Sequence, residues 1–344
     1  MSPTWNLVPS PAVSVVVPCL NEADHVERLL NAVRLQDQAP LEVVVVDGGS
    51  TDGTRAILDR YRARHPEFPL TVIALPPGDI PVSMNAGIRR AKGDIIVRLD
   101  AHSCPRPDYL RRVATTLQMT GAGVVGGRWE IEPGRQTVVG HAIAWAVQHP
   151  LGAGDAAYRV GGREGPPIPV DTVPYGCFEK PLWEALGGFN ERLLTNEDYE
   201  FNYRVRCTGR PVLLDPSVVS TYVARGDFLG LARQYFRYGW WKAQMLKRHP
   251  RALRWRQAIP VAFVLAIALL GVVSFAQTAF IPWLMALGLL YLAVVTVASV
   301  GVAWQRREWK TLPVLPLVFA TIHFAWGGGA LSRLVTLGRW PRWR

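Results

Sequence analysis

The chain has 344 residues, enough for one large domain with an appendage or for two small domains, and its 49% hydrophobic residues exclude a disordered protein. Its four cysteines, Cys19, Cys104, Cys177 and Cys207, are widely spaced with no C-x-x-C pair, which argues against a disulfide framework or a zinc site. The net charge of +11 is uneven: residues 1–225 carry 23 Lys/Arg against 25 Asp/Glu, net −2, while residues 226–344 carry 15 against 2, net +13. A basic chain suggests nucleic acid or an anionic membrane surface. Here the basic residues flank long apolar runs, which favours anionic lipid over nucleic acid.

The first apolar run, 13–17, is short, lacks a basic leader and stops at Pro18, so it predicts a strand and not a signal peptide. The N-terminal domain is therefore expected to stay in the cytosol. A loop at 18–22 leads to a helix over 22–35 with apolar Val26, Leu29, Leu30 and Val33. A second strand, 41–46, ends at Asp47, and the glycine-rich turn 48–53 opens a helix over 52–64. A third strand at 70–74, a helix over 84–91 stopped by Gly93, and a fourth strand at 94–99 follow, the last ending at Asp100-Ala101-His102. Strands alternating with helices predict an α/β fold with a mostly parallel sheet flanked by helices. Ligands of such sheets bind beyond the carboxyl ends of the strands, where Asp47 and Asp100 stand.

Each of these positions has two readings. Asp47 offers a carboxylate to a base or ribose, or else Asp47 or Ser50 caps the next helix. Asp100 and His102 alternate across one residue and can converge on Mn²⁺ or Mg²⁺ bound to a diphosphate, or else are a surface carboxylate and a satisfied histidine. The Gly- and Pro-rich segment 151–170, with Arg159, Arg163 and Glu164, predicts a long loop, either an acceptor-binding lid or a solvated connector. At 195–200 an acidic cluster, Thr-Asn-Glu-Asp-Tyr-Glu, starts a helix running to about Cys207. Its acids complement the helix dipole or supply a general base at a cleft.

Residues 226–257 carry eight Lys/Arg and one acid among Phe228, Tyr235, Phe236, Tyr238, Trp240, Trp241 and Trp255. Aromatic rings and snorkelling cations suit lipid headgroups, so one or two helices broken at Pro250 are expected to lie on the membrane. No charge occurs between Gln257 and Gln305, long enough for two spans, placed at 258–276 and 279–303 as a hairpin. A third uncharged run, 311–331, is a poorer helix because it holds Pro313, Pro316, His323 and three glycines at 327–329. Arg248, Arg251, Arg254 and Arg256 precede the first span, and Arg306, Arg307 and Lys310 follow the second, which puts both flanks in the cytosol. Three spans would then strand Arg333, Arg339, Arg342 and Arg344 outside, so either the third segment is re-entrant or the rule fails. The expected organisation is 1–225 domain, 226–257 interfacial helices and 258–344 anchor.

In order, the motifs at 17–22 (Val-Pro-Cys-Leu-Asn-Glu), 46–54 (Val-Asp-Gly-Gly-Ser-Thr-Asp-Gly-Thr), Asn85-Ala86-Gly87 with Gly93-Asp94, Asp100-Ala101-His102, Tyr175-Gly176-Cys177 and Asn196-Glu197-Asp198 resemble the inverting family 2 glycosyltransferases of the GT-A fold, over about residues 11–215. The pattern is most similar to membrane-bound glucosyltransferases of succinoglycan-type exopolysaccharide assembly. The resemblance implies that Asp47 binds the uracil or its ribose, with Pro18, Asn21, Glu22 and Ser50 lining the nucleotide pocket. It implies that Asp100 and His102 hold Mg²⁺ or Mn²⁺ on the diphosphate, and that Asp198, with Glu197 beside it, deprotonates the acceptor hydroxyl. Gly176 would let a sugar approach the backbone. Gln234 and Arg237, in Gln-Tyr-Phe-Arg-Tyr, are similar to the Q-x-x-R-W signature of processive synthases, with Tyr238 in place of Trp. A His in the metal motif, where many relatives have D-x-D, makes the site one charge less negative.

The implied activity is inverting transfer of one sugar from a nucleotide-sugar donor, such as UDP-glucose, to a polyprenyl-diphosphate-linked saccharide at the inner membrane. Other glycan-assembly enzymes are candidate partners. Two alternatives stand beside it: a processive polysaccharide synthase-translocase, and a non-catalytic membrane-tethered nucleotide-sugar sensor.

Overall fold

The computed structural model describes residues 12–154, 156–160 and 165–336. Arg163 and Glu164 of the 151–170 segment, and Arg339, Arg342 and Arg344 of the tail, lie outside the described residues. In chain order the elements begin with β1 (Val13–Cys19), α1 (Val26–Arg34), β2 (Glu42–Asp47), α2 (Thr54–Arg64), β3 (Leu70–Ala74), α3 (Ile80–Arg90), β4 (Ile95–Arg98), the two-residue β5 (Cys104–Pro105) and α4 (Tyr109–Thr120). They continue with β6 (Val124–Glu132), α5 (Val138–Ala146), the single turns α6 (Pro150–Ala153) and α7 (Ala157–Val160), β7 (Ile168–Pro169), β8 (Cys177–Glu179), α8 (Lys180–Ala185), α9 (Glu197–Cys207) and β9 (Val212–Val223). The last part is helical: α10 (Phe228–Leu246), α11 (Trp255–Ala276), α12 (Ile281–Arg306) and α13 (Leu315–Val335).

The chain divides into two compact units, one of 1–128, 163–191 and 201–220, the other of 129–162, 192–200 and 221–344. In the first, the strands line up as β3-β2-β1-β4-β8-β6-β9-β5, with β7 paired to β9. β1 runs parallel to β2 and β4, and β2 parallel to β3, while β8 turns antiparallel to β4. The continuous valine runs of β1 and β2 follow from burial on both faces: Val15, Val16, Val17 and Val43 to Val46 have no exposed surface. α3 closes down on these strands through Gly87, where a Cβ would come within 2.5 Å of Val16 Cγ1 and 2.9 Å of Val46 Cγ2.

Several boundaries depart from the sequence expectation. α1 starts at Val26 and not at 22, because the N–H groups of residues 21–23 are bonded to side chains of the next loop. α3 starts four residues earlier than expected, with Pro81 in its first turn, where a missing N–H costs nothing. The segment 151–170 is not one long loop: α6, α7 and β7 lie within it, and Arg159 is buried.

In the second unit the break at Pro250 is present, as a 3-10 turn after α10. Tyr235, Trp240 and Trp241, expected at lipid headgroups, are buried, and α13 packs along α10, while Trp255 is 69% exposed. α11, α12 and α13 are each long and apolar enough to cross a membrane. α11 and α12 are joined by a 3-10 turn, Thr278–Phe280, as the hairpin expectation requires. α13 is one continuous helix despite its glycines. Gly327 and Gly329 serve close packing there: Cβ atoms would run into the Pro260 and Phe236 carbonyls, and Gly239 of α10 likewise faces the Trp326 carbonyl.

Candidate active site

The loops after β1 and β2 are locked together. Cys19 and Asp47 are register partners, so the two loops leave the sheet side by side. The Asn21 N–H donates to Ser50 Oγ (2.9 Å), the Thr51 N–H to Asn21 Oδ1 (2.8 Å), the Glu22 N–H to Thr54 Oγ1 (2.9 Å) and the Ala23 N–H to Asp52 Oδ2 (3.0 Å). Asp47 is buried; its Oδ1 accepts the Ser50 N–H at 3.0 Å and its Oδ2 lies 3.8 Å from Arg55 Nη1. Neither Asp47 nor Ser50 caps α2, whose N-cap is Gly53 with no side-chain cap; Asp47 instead closes the turn and presents its carboxylate at the strand end. Pro18 precedes this crossing within β1.

The turn after β4 joins the same end of the sheet. Asp100 Oδ1 lies 3.0 Å from Arg98 Nε, and His102 Nδ1 lies 3.0 Å from Glu22 Oε1. Ala101 between them is buried, while Asp100 and His102 are partly exposed. Gly176 enters from the segment before β8, its carbonyl accepting the Arg98 N–H at 3.1 Å. Eight sequence-predicted residues, Pro18, Asn21, Glu22, Asp47, Ser50, Asp100, His102 and Gly176, therefore belong to one unit and to adjoining strand ends.

Among the described residues, no group of three or more His, Cys, Asp or Glu side chains is arranged as a metal cage. Asp100 and His102 would offer one carboxylate and one imidazole. That set suits a hard divalent ion that takes its other ligands from a diphosphate. His102 Nδ1 is engaged by Glu22, a carboxylate placed to orient the ring.

The thiols are chemically quiet. Burial, with Glu22, Asp47 and Asp52 adding, pushes the Cys19 thiol up to about 12, and burial likewise raises the Cys177 thiol. Neither is a thiolate at neutral pH, which removes both as nucleophiles.

The acidic cluster belongs to the second unit. Glu197 and Glu200 are buried, Glu200 with His249 Nε2 at 3.1 Å, and Asp198 is half-buried in the first turn of α9, its Oδ1 accepting the Tyr199 N–H at 2.7 Å. Asn196, just before, has φ +65°, a left-handed conformation that asparagine tolerates. Asn21 (+56°) and Tyr175 (+49°) share this conformation, so three of the four non-glycine residues at positive φ among the described residues lie in the motif segments.

Gln234 and Arg237 part company. Gln234 is buried, its amide donating to the Tyr222 and Tyr238 hydroxyls at 3.0 Å each, whereas Arg237 is exposed. Beside Gln234 lies a group that sequence reasoning did not assemble. The buried Arg159 guanidinium sits over Trp129 (5.0 Å), Tyr158 (5.6 Å) and Tyr222 (5.8 Å), with Nη1 3.4 Å from the Tyr235 hydroxyl. Trp129 and Tyr222 stack at 4.1 Å. Among the described residues, no carboxylate pairs with Arg159. Burial raises the Tyr158 hydroxyl, Arg159 opposes that rise, and the charge of Asp198 adds to it. The cage draws on four separated segments and leaves no spacing signal.

Residues 14–164 match the family described as Glycosyl transferase family 2. The succinoglycan biosynthesis protein ExoA of Rhizobium meliloti (strain 1021) is 29% identical over 323 residues, 87% of this chain and 94% of that protein. A dolichyl N-acetyl-α-D-glucosaminyl phosphate 3-β-D-2,3-diacetamido-2,3-dideoxy-β-D-glucuronosyltransferase of Methanococcus voltae is 24% identical over 319 residues, 89% of this chain and 93% of the relative. Among solved structures, the mannosyltransferase PcManGT from Pyrobaculum calidifontis, in complex with GDP-Man and Mn²⁺, superposes with a TM-score of 0.62 at 22% identity, covering 95% of this chain and 88% of that one. Residues 14–164 thus match a family 2 glycosyltransferase model, and the chain has a GT-A-like fold.

Proposed function

We propose that this protein is an inverting transferase that adds one sugar from a nucleotide-sugar donor, UDP-glucose or a close analogue, to a polyprenyl-diphosphate-linked saccharide on the cytosolic face of the inner membrane. The observation that carries the donor side is the pair of locked loops after β1 and β2, joined through Glu22–His102 to the turn after β4. They bring Asp47, Asp100 and His102 to the sheet end where α/β proteins take nucleotides. Asp47 holds the base or ribose, while Pro18, Asn21, Glu22 and Ser50 shape the pocket. Gly176 gives the sugar access to the backbone. Asp100 and His102 would hold a Mg²⁺ or Mn²⁺ ion, which offsets charge on the leaving diphosphate. A nucleotide sugar and Mn²⁺ are also named for the Pyrobaculum enzyme, whose likeness is one of fold.

Asp198 takes the proton of the attacking acceptor hydroxyl, with Glu197 behind it, and in-line attack from the opposite face inverts the anomeric centre. Arg237, exposed on α10, is the cation available to a phosphate. The segment carrying Tyr158 and Arg159 binds the acceptor, whose sugar rings suit aromatic faces and whose anionic groups suit the guanidinium. A membrane-borne acceptor agrees with the apolar helices and their basic flanks. It also agrees with the Methanococcus relative, named for transfer to a dolichyl-linked sugar phosphate.

The test is nucleoside diphosphate release from a panel of UDP- and GDP-sugars, with and without Mn²⁺, using a short lipid-linked acceptor. Acceptor-dependent release with one sugar added supports the reading. A ladder of products would make the protein a processive synthase, and no release from any donor would leave a nucleotide-sugar sensor.

A further inference from the structure

Three helices have the length and composition of membrane spans, but their packing differs. No residue of α11 is buried, whereas eight of the 21 residues of α13 are. What buries α13 decides its position. Its first half, Leu315, Val318, Phe319 and Ile322, shares a core with Ala142, Ile143 and Ala146 of α5. His149 stands edge-on to Phe319 at 5.6 Å, and His323 Nε2 lies 2.8 Å from the Leu151 carbonyl. Its second half lies along α10: Gly329 against the Phe236 carbonyl and Gly239 against the Trp326 carbonyl. At its end Arg333 Nε donates to Gln244 Oε1 at 2.7 Å, and Lys247 Nζ donates to the Arg333 carbonyl at 3.3 Å.

α5, α6 and α10 all precede the first apolar span in the chain. α10 is no span itself, since Arg233, Arg237 and Lys242 interrupt it. A straight helix of 21 residues is about 30 Å long, the thickness of a bilayer core. If α13 crossed, one of its ends would lie that far from everything preceding α11. Both ends instead hold partners that precede α11. α13 also meets the hairpin at its open end: Trp326 Nε1 donates to the Gln257 carbonyl near the start of α11 (3.4 Å), and Leu315 and Phe319 share a core with Val302 and Ala303 near the end of α12.

We infer that the chain crosses the bilayer twice, as the α11–α12 hairpin, and that α13 lies with α10 at one membrane surface, leaving the C-terminus on the same side as the chain before α11. The charges then agree. Arg251, Arg254 and Arg256 before the hairpin, Arg306, Arg307 and Lys310 after it, and Arg333 at the end of α13 face one side, and the turn between the spans carries none. The three-span assignment of 311–331 would have put Arg333 across the membrane from its partner Gln244. Proline and glycine in α13 serve packing against other helices at the interface. Leu317 and Phe324 remain exposed on it for lipid.

The test is labelling of the full chain in sealed cells with a membrane-impermeant maleimide, sites being resolved by peptide mass spectrometry. Thr278→Cys marks the hairpin turn, Thr336→Cys the end of α13, and the native exposed Cys207 the side of the preceding chain. Thr336→Cys should follow Cys207, both losing label or both gaining it together when the cells are permeabilised, and Thr278→Cys should do the opposite. An epitope tag after Arg344, probed with external protease, should follow Cys207 without any substitution. If Thr336→Cys or the tag follows Thr278→Cys, α13 crosses and the inference is wrong. If Thr278→Cys follows Cys207, the hairpin does not cross and it is equally wrong. The outcome is independent of donor, acceptor and absolute orientation.

Discussion

His102 Nδ1 lies 3.0 Å from Glu22 Oε1, which joins the loop after β1 to the turn after β4. A carboxylate so placed fixes the ring and makes its other nitrogen more basic. Glu22→Gln should keep the fold and the hydrogen bond but weaken the ring's affinity for a cation. The Mn²⁺ concentration needed for half-maximal turnover should rise about 10–100-fold. A metal titration of nucleoside diphosphate release measures this, and an unchanged midpoint would show that Glu22 only lines the pocket.

Asp198 is the acid of its cluster that keeps solvent access, Glu197 and Glu200 being buried. Asp198→Asn should cut turnover by about 10²–10⁴-fold while the donor dissociation constant stays at its wild-type value. Calorimetry with the donor and a single-turnover assay separate the two effects. Turnover at the wild-type rate would assign the base elsewhere.

Arg159 is a buried cation held by rings and hydroxyls. Arg159→Gln should raise the acceptor KM about tenfold, equivalent to about 1.4 kcal/mol, and leave the donor KM unchanged. Arg159→Lys should restore little, because a lysine lacks the planar fork. Initial rates at varied acceptor and varied donor distinguish this from a general loss of folded enzyme, which would lower kcat for both.

Gly239 lets α10 approach α13 to backbone contact, with Ala330 N at 3.1 Å from where a Cβ would stand. Gly239→Leu should destabilise the unit by about 1–3 kcal/mol or more, read as a lowered Tm in detergent. Gly271→Leu on α11, with nothing within 4 Å of its Cβ position, is the matched control and should leave Tm unchanged.

Much of the proposed donor half was legible in the sequence because its signals are local. Valine runs bounded by turns mark strands buried on both faces, and chain polarity puts the residues that follow them at one sheet end. Asp47, Asp100 and the loops between are found that way. Element starts were less legible. α1 begins late because Asn21, Glu22 and Ala23 bond to a loop about thirty residues on, and no local pattern encodes that pairing. Gln234 and Arg237 share one motif yet part in burial, since α10 turns Gln234 toward Tyr222 and Arg237 away.

By itself the sequence determined where the chain is apolar, where it is basic and which polar residues follow each strand, because composition and order carry those directly. Only the tertiary structure decided that His102 is oriented by Glu22, that Trp129, Tyr158, Tyr222 and Tyr235 close around Arg159, and that α13 is held by α5 and α10. These are contacts between residues far apart in the chain, fixed by backbone approach at glycines and by the need to partner buried polar groups. An apolar helix buries itself as readily in protein as in lipid, and hydropathy alone does not distinguish the two.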